Sequence, residues 1–137
     1  WEATDGELYT LIMADPDMFP PARQFLNWLV VNIRGSNVSS GVEVAAYQGA
    51  SPAPGTGSHR YVFSVWKQNR TISADDYVVP GKTASNMSLV GRVGFNTSDY
   101  SWKISGVQSP TPVAGNFFLA TFDDYARILL AKFDSMI

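Results

Sequence analysis

The residues whose chemistry stands out are the single histidine, His59, and two aspartates, Asp15 and Asp17, that flank Pro16. His59 follows a glycine-rich stretch at 55–58. Glycine backbone approaches a ligand closely and presents N–H groups to an anion, and a protonated histidine adds a charge-assisted donor. A carboxylate beside such a histidine favours its protonated form. The same side chains fit the general acid/base chemistry of a hydrolase, so the residue types alone leave binding and catalysis open.

A nucleophile that would complete a hydrolytic site is not evident. Ser58 is adjacent to His59, and neighbouring residues of a strand point to opposite faces. The chain has no cysteine, which excludes disulfides, zinc–thiolate sites and thiol catalysis. One histidine excludes a multi-histidine metal site. We therefore predict a protein that is not an enzyme, with no catalytic residues, no metal and no cofactor.

Length and composition limit the remaining classes. The 137 residues predict one domain over 1–137, and 45% hydrophobic with 16% charged residues is enough apolar material for a core. A net charge of -2 argues against a nucleic-acid partner. No apolar stretch approaches the ~18 residues of a membrane span, so we predict no transmembrane segment.

The elements that must position these residues are mostly strands. Short apolar segments rich in β-branched and aromatic residues alternate with Pro- and Gly-rich loops such as 51–58. The predicted strands are 8–14, 25–33, 42–47, 61–68, 89–93, 101–104 and 116–121. A C-terminal amphipathic helix, capped by Asp123 or Asp124, is indicated by the spacing of Tyr125, Ile128, Leu129, Lys132, Phe133 and Met136. The fold class is therefore mainly β, a β-sandwich-like core with a peripheral helix.

Five short motifs, in order, carry a family resemblance. They are Asp15-Pro16-Asp17, Trp28-Leu29-Val30-Val31-Asn32, Gly55-Thr56-Gly57-Ser58-His59-Arg60-Tyr61, Pro112-Val113-Ala114-Gly115 and Asp123-Asp124-Tyr125. Each is weak alone, but the ordered set resembles the phosphatidylethanolamine-binding protein family, which includes the Raf kinase inhibitor proteins and the plant flowering regulators. The resemblance implies a large antiparallel β-sandwich with a C-terminal helix. It also implies a small surface cavity for phosphate-type anions and phospholipid headgroups.

The resemblance also implies which residues line that cavity. The predicted ligand-binding residues are Asp15, Asn27, Ser51, Pro52, Gly55, Gly57, His59 and Tyr125, with Tyr125 closing the pocket at the start of the helix. Asp17 and Tyr61 are predicted to support its walls. Arg60 is expected to pair with Asp17 or another carboxylate rather than contact the ligand.

Four features depart from the family pattern. Asn27 stands where the family usually has a second histidine, and an amide donates and accepts but does not titrate. The segment Met18-Phe19-Pro20-Pro21-Ala22 is shortened and more apolar than usual, and Ala53 replaces a usual proline. Strands that precede Trp1 in the family are missing, which predicts an N-terminally truncated or processed chain. The gap is then covered by a retained N-terminal segment or by another chain, of which a dimer is the simplest case.

These features predict a non-enzymatic binding module for an anion or phospholipid headgroup, with regulation of a protein partner of unknown identity as a further expectation. The alternative is a protein-interaction or structural subunit, resembling kinase or protease inhibitors, with a vestigial pocket. No residue specifies that partner.

Four N-x-[ST] sequons occur among only seven asparagines, at Asn37, Asn69, Asn86 and Asn96, where chance gives about one. Turns also enrich Asn, Ser and Thr together, which is the competing explanation. The excess favours a secreted glycoprotein over a cytoplasmic protein.

Overall fold

The computed structural model describes residues 1–19, 23–73, 92–105 and 110–134. Within these residues the chain forms six β-strands, two α-helices and a short 3-10 helix at Val38–Ser40. The elements, in chain order, are β1 Leu8–Phe19, β2 Arg23–Arg34, β3 Val42–Ala45, β4 His59–Lys67, β5 Val93–Phe95, α1 Thr97–Ser105, β6 Ala114–Ala120 and α2 Asp124–Asp134.

The strands form one antiparallel sheet in the order β3-β2-β1-β4-β6, and β5 also pairs with β2. The central strand β1 pairs with β4 from Tyr9 opposite Lys67 to Ala14 opposite Val62. The predicted mainly antiparallel β fold with a C-terminal helix is confirmed. Because β1 is flanked on both sides, any polar side chain that it carries must find its partners within the sheet or on its faces.

Apolar residues pack on both faces of the sheet. In β1, Ile12 belongs to the larger cluster and Leu11 to the smaller one, as the alternation of a strand requires. The larger cluster also takes in Tyr100 and Ile104 of α1, which covers that face. Burial on both faces holds the long central strands rigidly enough to position side chains at their ends.

Two predicted strands differ from the structure by more than two residues at a boundary, and the others that the structure confirms as strands differ by two residues or fewer. Strand β1 does not end before Pro16 but continues to Phe19. Pro16 lies where the pairing register with β2 shifts, between Asp15 and Phe19, a place where a missing N–H breaks no regular ladder bond. Of the predicted strand 89–93, the structure places a strand at Val93–Phe95, while 89–91 lie outside the described residues.

The predicted strand 101–104 is wrong, because these residues belong to helix α1. The helix begins after Asn96, whose side-chain Oδ1 accepts the Asp99 N–H at 3.0 Å and caps the first turn. Tyr100, Ser101 and Ile104 are buried at helical spacing. The short segment alternates in polarity as a strand does, but the cap and the longer spacing decide the structure.

Helix α2 begins as predicted, since Asp123 Oδ1 accepts the Ala126 N–H at 2.8 Å. The predicted packing face is partly wrong. Ala126 and Leu129 are buried, whereas Tyr125 and Ile128 are each about half exposed. Leu129 packs against Phe25 of β2, so the buried face of the helix differs from the predicted one. Neither described helix is long and apolar enough to cross a bilayer.

A polar cluster fastens the chain after β4 to the bulged end of β2. Asn32 has a φ of +58°, and its side-chain amide pairs with Ile72 as a neighbouring strand would. Asn32 Nδ2 donates to the Ile72 carbonyl and Oδ1 accepts the Ile72 N–H, both at 2.8 Å. Gln68 Oε1 accepts from the Asn32 N–H and from the Thr10 hydroxyl. Asn32 therefore serves the fold through both its backbone conformation and its amide.

We predict that Asn32→Ala lowers the free energy of unfolding by about 2–4 kcal/mol, because it loses partly buried side-chain hydrogen bonds and strains a left-handed backbone. Asn32→Gly keeps the conformation and loses only the side-chain bonds, so it costs about 1–2 kcal/mol. Urea unfolding of both variants separates the two effects. Equal stability of wild type and Asn32→Ala would contradict this role.

Candidate functional site

The sheet brings Asp15 and His59 into direct contact. Asp15 lies near the end of β1, His59 begins β4, and His59 Nδ1 is 2.7 Å from Asp15 Oδ2. Only 4% of Asp15 and 2% of His59 is exposed, so the pair is buried. The other carboxylate oxygen of Asp15 accepts the Asp17 N–H at 2.7 Å. A buried carboxylate is thus held by donors from two strands.

The second ring nitrogen of His59 meets Thr56, at 2.8 Å from Nε2 to Oγ1. The Thr56 hydroxyl also donates to the Ala53 carbonyl at 2.6 Å. A hydroxyl has one proton, so it faces Nε2 as an acceptor, while Nδ1 faces the acceptor Asp15. This geometry suits a doubly protonated ring. It also leaves Thr56 without the geometry of a nucleophile activated by histidine, in which the hydroxyl donates to the ring.

Tyr61 forms a side wall next to the pair. Its ring stacks on His59 at 6.4 Å between centroids and on Phe118 of β6 at 5.3 Å. Burial raises the pKa of the Tyr61 hydroxyl well above its usual range, and the nearby Asp15 charge raises it further. The hydroxyl therefore stays protonated beside the Asp15 carboxylate.

Asn27 binds the neighbouring loop at Gln48 and Gly49. Its side-chain Nδ2 donates to the Gln48 carbonyl at 3.0 Å, and its own carbonyl accepts the Gln48 N–H at 2.8 Å. Only 1% of Asn27 is exposed, and Oδ1 has no hydrogen-bond partner in the part of the chain that the structure describes. Asn27 is thus a buried amide that keeps one acceptor available.

Arg92 is a buried residue next to Asn27 that no sequence pattern indicated. It is 1% exposed, and its guanidinium donates to the carbonyls of Leu26, Asn27 and Ala46 at 2.8–3.1 Å. Burial lowers the pKa of Arg92 to about 10, so it is still charged at neutral pH. A guanidinium bound to backbone carbonyls leaves no sequence signature, because its partners are set by the tertiary structure.

Tyr125 and the loops complete the surroundings. The Tyr125 hydroxyl accepts the Gly49 N–H at 3.3 Å, and a Cβ on Gly49 would lie 2.8 Å from that oxygen. Tyr125 thus contacts the wall next to Asn27, not His59 itself. Pro52 is buried and Ser51 half-buried, whereas Gly55 and Gly57 are exposed, with φ of +78° and +77°, on either side of Thr56.

Asp17 and Arg60 form the predicted pair. The guanidinium Nε and Nη2 reach the two carboxylate oxygens at 3.0 and 2.8 Å, and the Arg60 N–H adds a third bond at 2.8 Å. The hydrogen bonds from Arg60 hold the pKa of Asp17 at about 2, below its ordinary 3.8. This pair fixes the start of β4, and hence His59, against β1.

A family model described as phosphatidylethanolamine-binding protein matches residues 1–118. The chain belongs to the phosphatidylethanolamine-binding protein family. Among curated relatives it is 39% identical over 126 residues to a 26 kDa secreted antigen of Toxocara canis, covering 86% of this chain and 44% of that protein. The chain therefore spans less than half the length of that relative.

Solved structures agree on the fold. The CG7054 solution structure is 38% identical, with a TM-score of 0.71 over 93% of this chain and 69% of that one. A carboxypeptidase Y inhibitor complexed with its cognate proteinase has 22% identity and a TM-score of 0.62, covering 90% and 64%. A phosphatidylethanolamine-binding protein of Plasmodium falciparum has 21% sequence identity and a TM-score of 0.55, and the match covers 87% of this chain and 66% of that one. The last two likenesses show the fold alone.

In this family member, a cavity of about 550 Å³ lies away from the Asp15–His59 pair. It occupies the opposite end of β1 and β4, lined by Glu7, Trp66, Lys67 and Val113 among others. The described residues hold no cluster of three or more His, Cys, Asp or Glu that could bind a metal. Ligand binding by the predicted site residues therefore stays a prediction, although hydrogen bonds link Asp15, His59 and Thr56.

The Asp17–Arg60 pair predicts a pH effect on this family member. Because the folded pKa of Asp17 is below its unfolded value, the pair stabilises the fold above about pH 4, and this contribution is lost as pH falls towards 2. Asp17→Asn should thus lower the urea midpoint at pH 6, and its difference from wild type should shrink steadily between pH 4 and 2. Both carboxylate and guanidinium are partly solvated, so the effect is small. A difference that is independent of pH would contradict the pairing.

Proposed function

We propose that this protein is a non-enzymatic binding module whose site at His59 takes a phosphate-type anion, either free or as a phospholipid headgroup. The observation that carries the proposal is the buried His59 bonded through both ring nitrogens, to Asp15 and to the loop residue Thr56. A ligand oxygen in the position of the Thr56 hydroxyl would accept the same Nε2 proton. The exposed glycines on either side of Thr56 let backbone N–H groups approach that oxygen.

The charges at this site favour weak binding. Asp15 offsets the charge of a protonated His59, and Asp17 is neutralised by Arg60. Asn27 supplies an acceptor rather than a second cationic donor, which suits a protonated phosphate oxygen or an ammonium group. We expect a dissociation constant of about 0.1–1 mM, or roughly 4–5.5 kcal/mol.

The test is titration of the protein with inorganic phosphate and, separately, with phosphoethanolamine, followed by chemical shifts near His59. His59→Gln should weaken binding about 10–100-fold, because it removes a charge-assisted donor. Gln is preferred to Ala, because Ala would leave the buried Asp15 carboxylate without this partner.

Ser58→Ala is the matched control, since Ser58 is exposed and adjacent to His59. It should bind as wild type does. Equal affinity for the two ligands assigns the site to the phosphate alone, and preference for phosphoethanolamine adds the ammonium group. The proposal fails if neither ligand gives a saturable shift between pH 5 and 8, and a structural role then replaces it.

A protein-inhibiting role is the second candidate. One protein of the same fold is a carboxypeptidase Y inhibitor, solved in complex with its cognate proteinase, and that likeness extends only to the fold. Such a role would need a protein partner, or a retained N-terminal segment, whose identity no residue of this chain specifies. If this role holds, the protein should inhibit its protein partner equally well with and without His59→Gln.

We also propose that the protein is secreted and glycosylated. The Toxocara canis relative is named a secreted antigen, and Asn37, Asn69 and Asn96 are exposed, whereas Asn86 lies outside the described residues. The cap that Asn96 forms uses Oδ1 and leaves Nδ2 available for a glycan.

The intact mass of the native protein before and after enzymatic deglycosylation tests secretion and glycosylation together. We expect a loss of glycan mass, with conversion of at least one of these asparagines to aspartate. Peptide mapping then assigns the sites. A native mass equal to that of the bare polypeptide would count against glycosylation.

A further inference from the structure

A short exposed loop lies against the ring of His59. Residues 54–58 are exposed, whereas Pro52 before them and His59 after them are buried and anchor the two ends of the loop. In the described structure the side-chain hydrogen bonds of this loop are both made by Thr56, to the Ala53 carbonyl at 2.6 Å and to His59 Nε2 at 2.8 Å. An exposed residue therefore occupies the ring nitrogen that faces the loop.

The local sequence explains the shape of this loop. Pro54 and Gly55 are the central residues of a turn that the Thr56 N–H closes on the Ala53 carbonyl at 3.3 Å, and Gly55 has a φ of +78°. Proline followed by a residue of positive φ is the pattern of a type II turn. Gly57, with a φ of +77°, turns the chain again. Because glycine rotates freely and a Cβ at either position would meet no described atom within 4 Å, Thr56 can leave its place by backbone rotation alone.

The Thr56 hydroxyl is a replaceable partner for His59. It presents a neutral oxygen to a ring whose other nitrogen already faces the Asp15 carboxylate. A phosphate oxygen is charged, and it binds a protonated ring more strongly than a hydroxyl does. The Thr56 oxygen and a ligand oxygen require the same Nε2 proton. The loop and an anion are therefore alternatives at this nitrogen.

We propose that Thr56 is an intramolecular competitor for the anion site. The turn at 53–56 closes on His59 in the free protein, and a phosphate-type ligand binds by displacing the Thr56 hydroxyl from Nε2. The identity of the ligand rests on the function proposed above, whereas the closure rests on the contacts of Thr56 alone. Only the open fraction of molecules binds, so the apparent affinity is lowered by that fraction. A hydrogen bond of this kind shifts such an equilibrium about three- to tenfold.

His59 is the only histidine of the chain, so its acylation by diethyl pyrocarbonate measures the closure without any ligand. Thr56→Ala removes the hydroxyl that covers Nε2, and its His59 should be acylated about three- to tenfold faster than that of wild type. Thr56→Ser restores the hydroxyl and should bring the rate back towards the wild-type value. Ser58→Ala, in the same exposed loop, is the control and should react as wild type does. Equal rates for wild type and Thr56→Ala, measured by peptide mass mapping, overturn the closure.

Titration of the same variants with inorganic phosphate, followed by chemical shifts near His59, tests the competition. Thr56→Ala should bind phosphate about three- to tenfold more tightly than wild type, the factor expected for its acylation, because both depend on the open fraction. Weaker binding by Thr56→Ala would make Thr56 a ligand contact and overturn the competition. Equal affinity of wild type and Thr56→Ala overturns the competition alone, whereas failure of every variant to bind overturns the anion site as well.

Discussion

The carboxylate of Asp15, almost completely removed from water, is the constraint on which this end of the molecule depends. An isolated buried charge is too costly to keep, so donors must surround it. They come from the Asp17 N–H and the His59 ring, and the protonated Tyr61 hydroxyl lies beside the carboxylate. His59 and Tyr61 are two residues apart on β4 and so face the same side of the sheet. A one-residue slip between β1 and β4 would remove both from Asp15, so the carboxylate and the register support each other.

The sequence motifs predicted the pairing of Asp15 with His59 and of Asp17 with Arg60, because both pairs lie within short motifs at strand ends. They did not predict Thr56, Arg92 or the role of Asn32. The partners of these residues are largely backbone carbonyls and amides that only the folded chain brings together. The strand prediction over 101–104 failed for a related reason, since its helical signals lie outside the short apolar segment that was considered.

Two polar side chains perform the same structural task on either side of β2. The amide of Asn32 pairs with Ile72, and the guanidinium of Arg92 binds carbonyls of β2 and of Ala46. Each replaces strand pairing where the neighbouring chain is irregular. Such segments would otherwise bury unsatisfied backbone groups at a cost of about 1–3 kcal/mol each. The position of the irregular segment 46–49 therefore depends on its hydrogen bonds to Arg92 and Asn27.

His59 and strand β6 are physically connected through aromatic rings. Tyr61 stacks between His59 and Phe118, and Phe118 also contacts Phe63 of β4. Phe118 is partly exposed, whereas Tyr61 is almost fully buried. Offset aromatic stacks are sensitive to ring position, so the position of Phe118 limits that of Tyr61 beside His59. A change at the exposed ring of Phe118 therefore reaches His59 through one intervening ring.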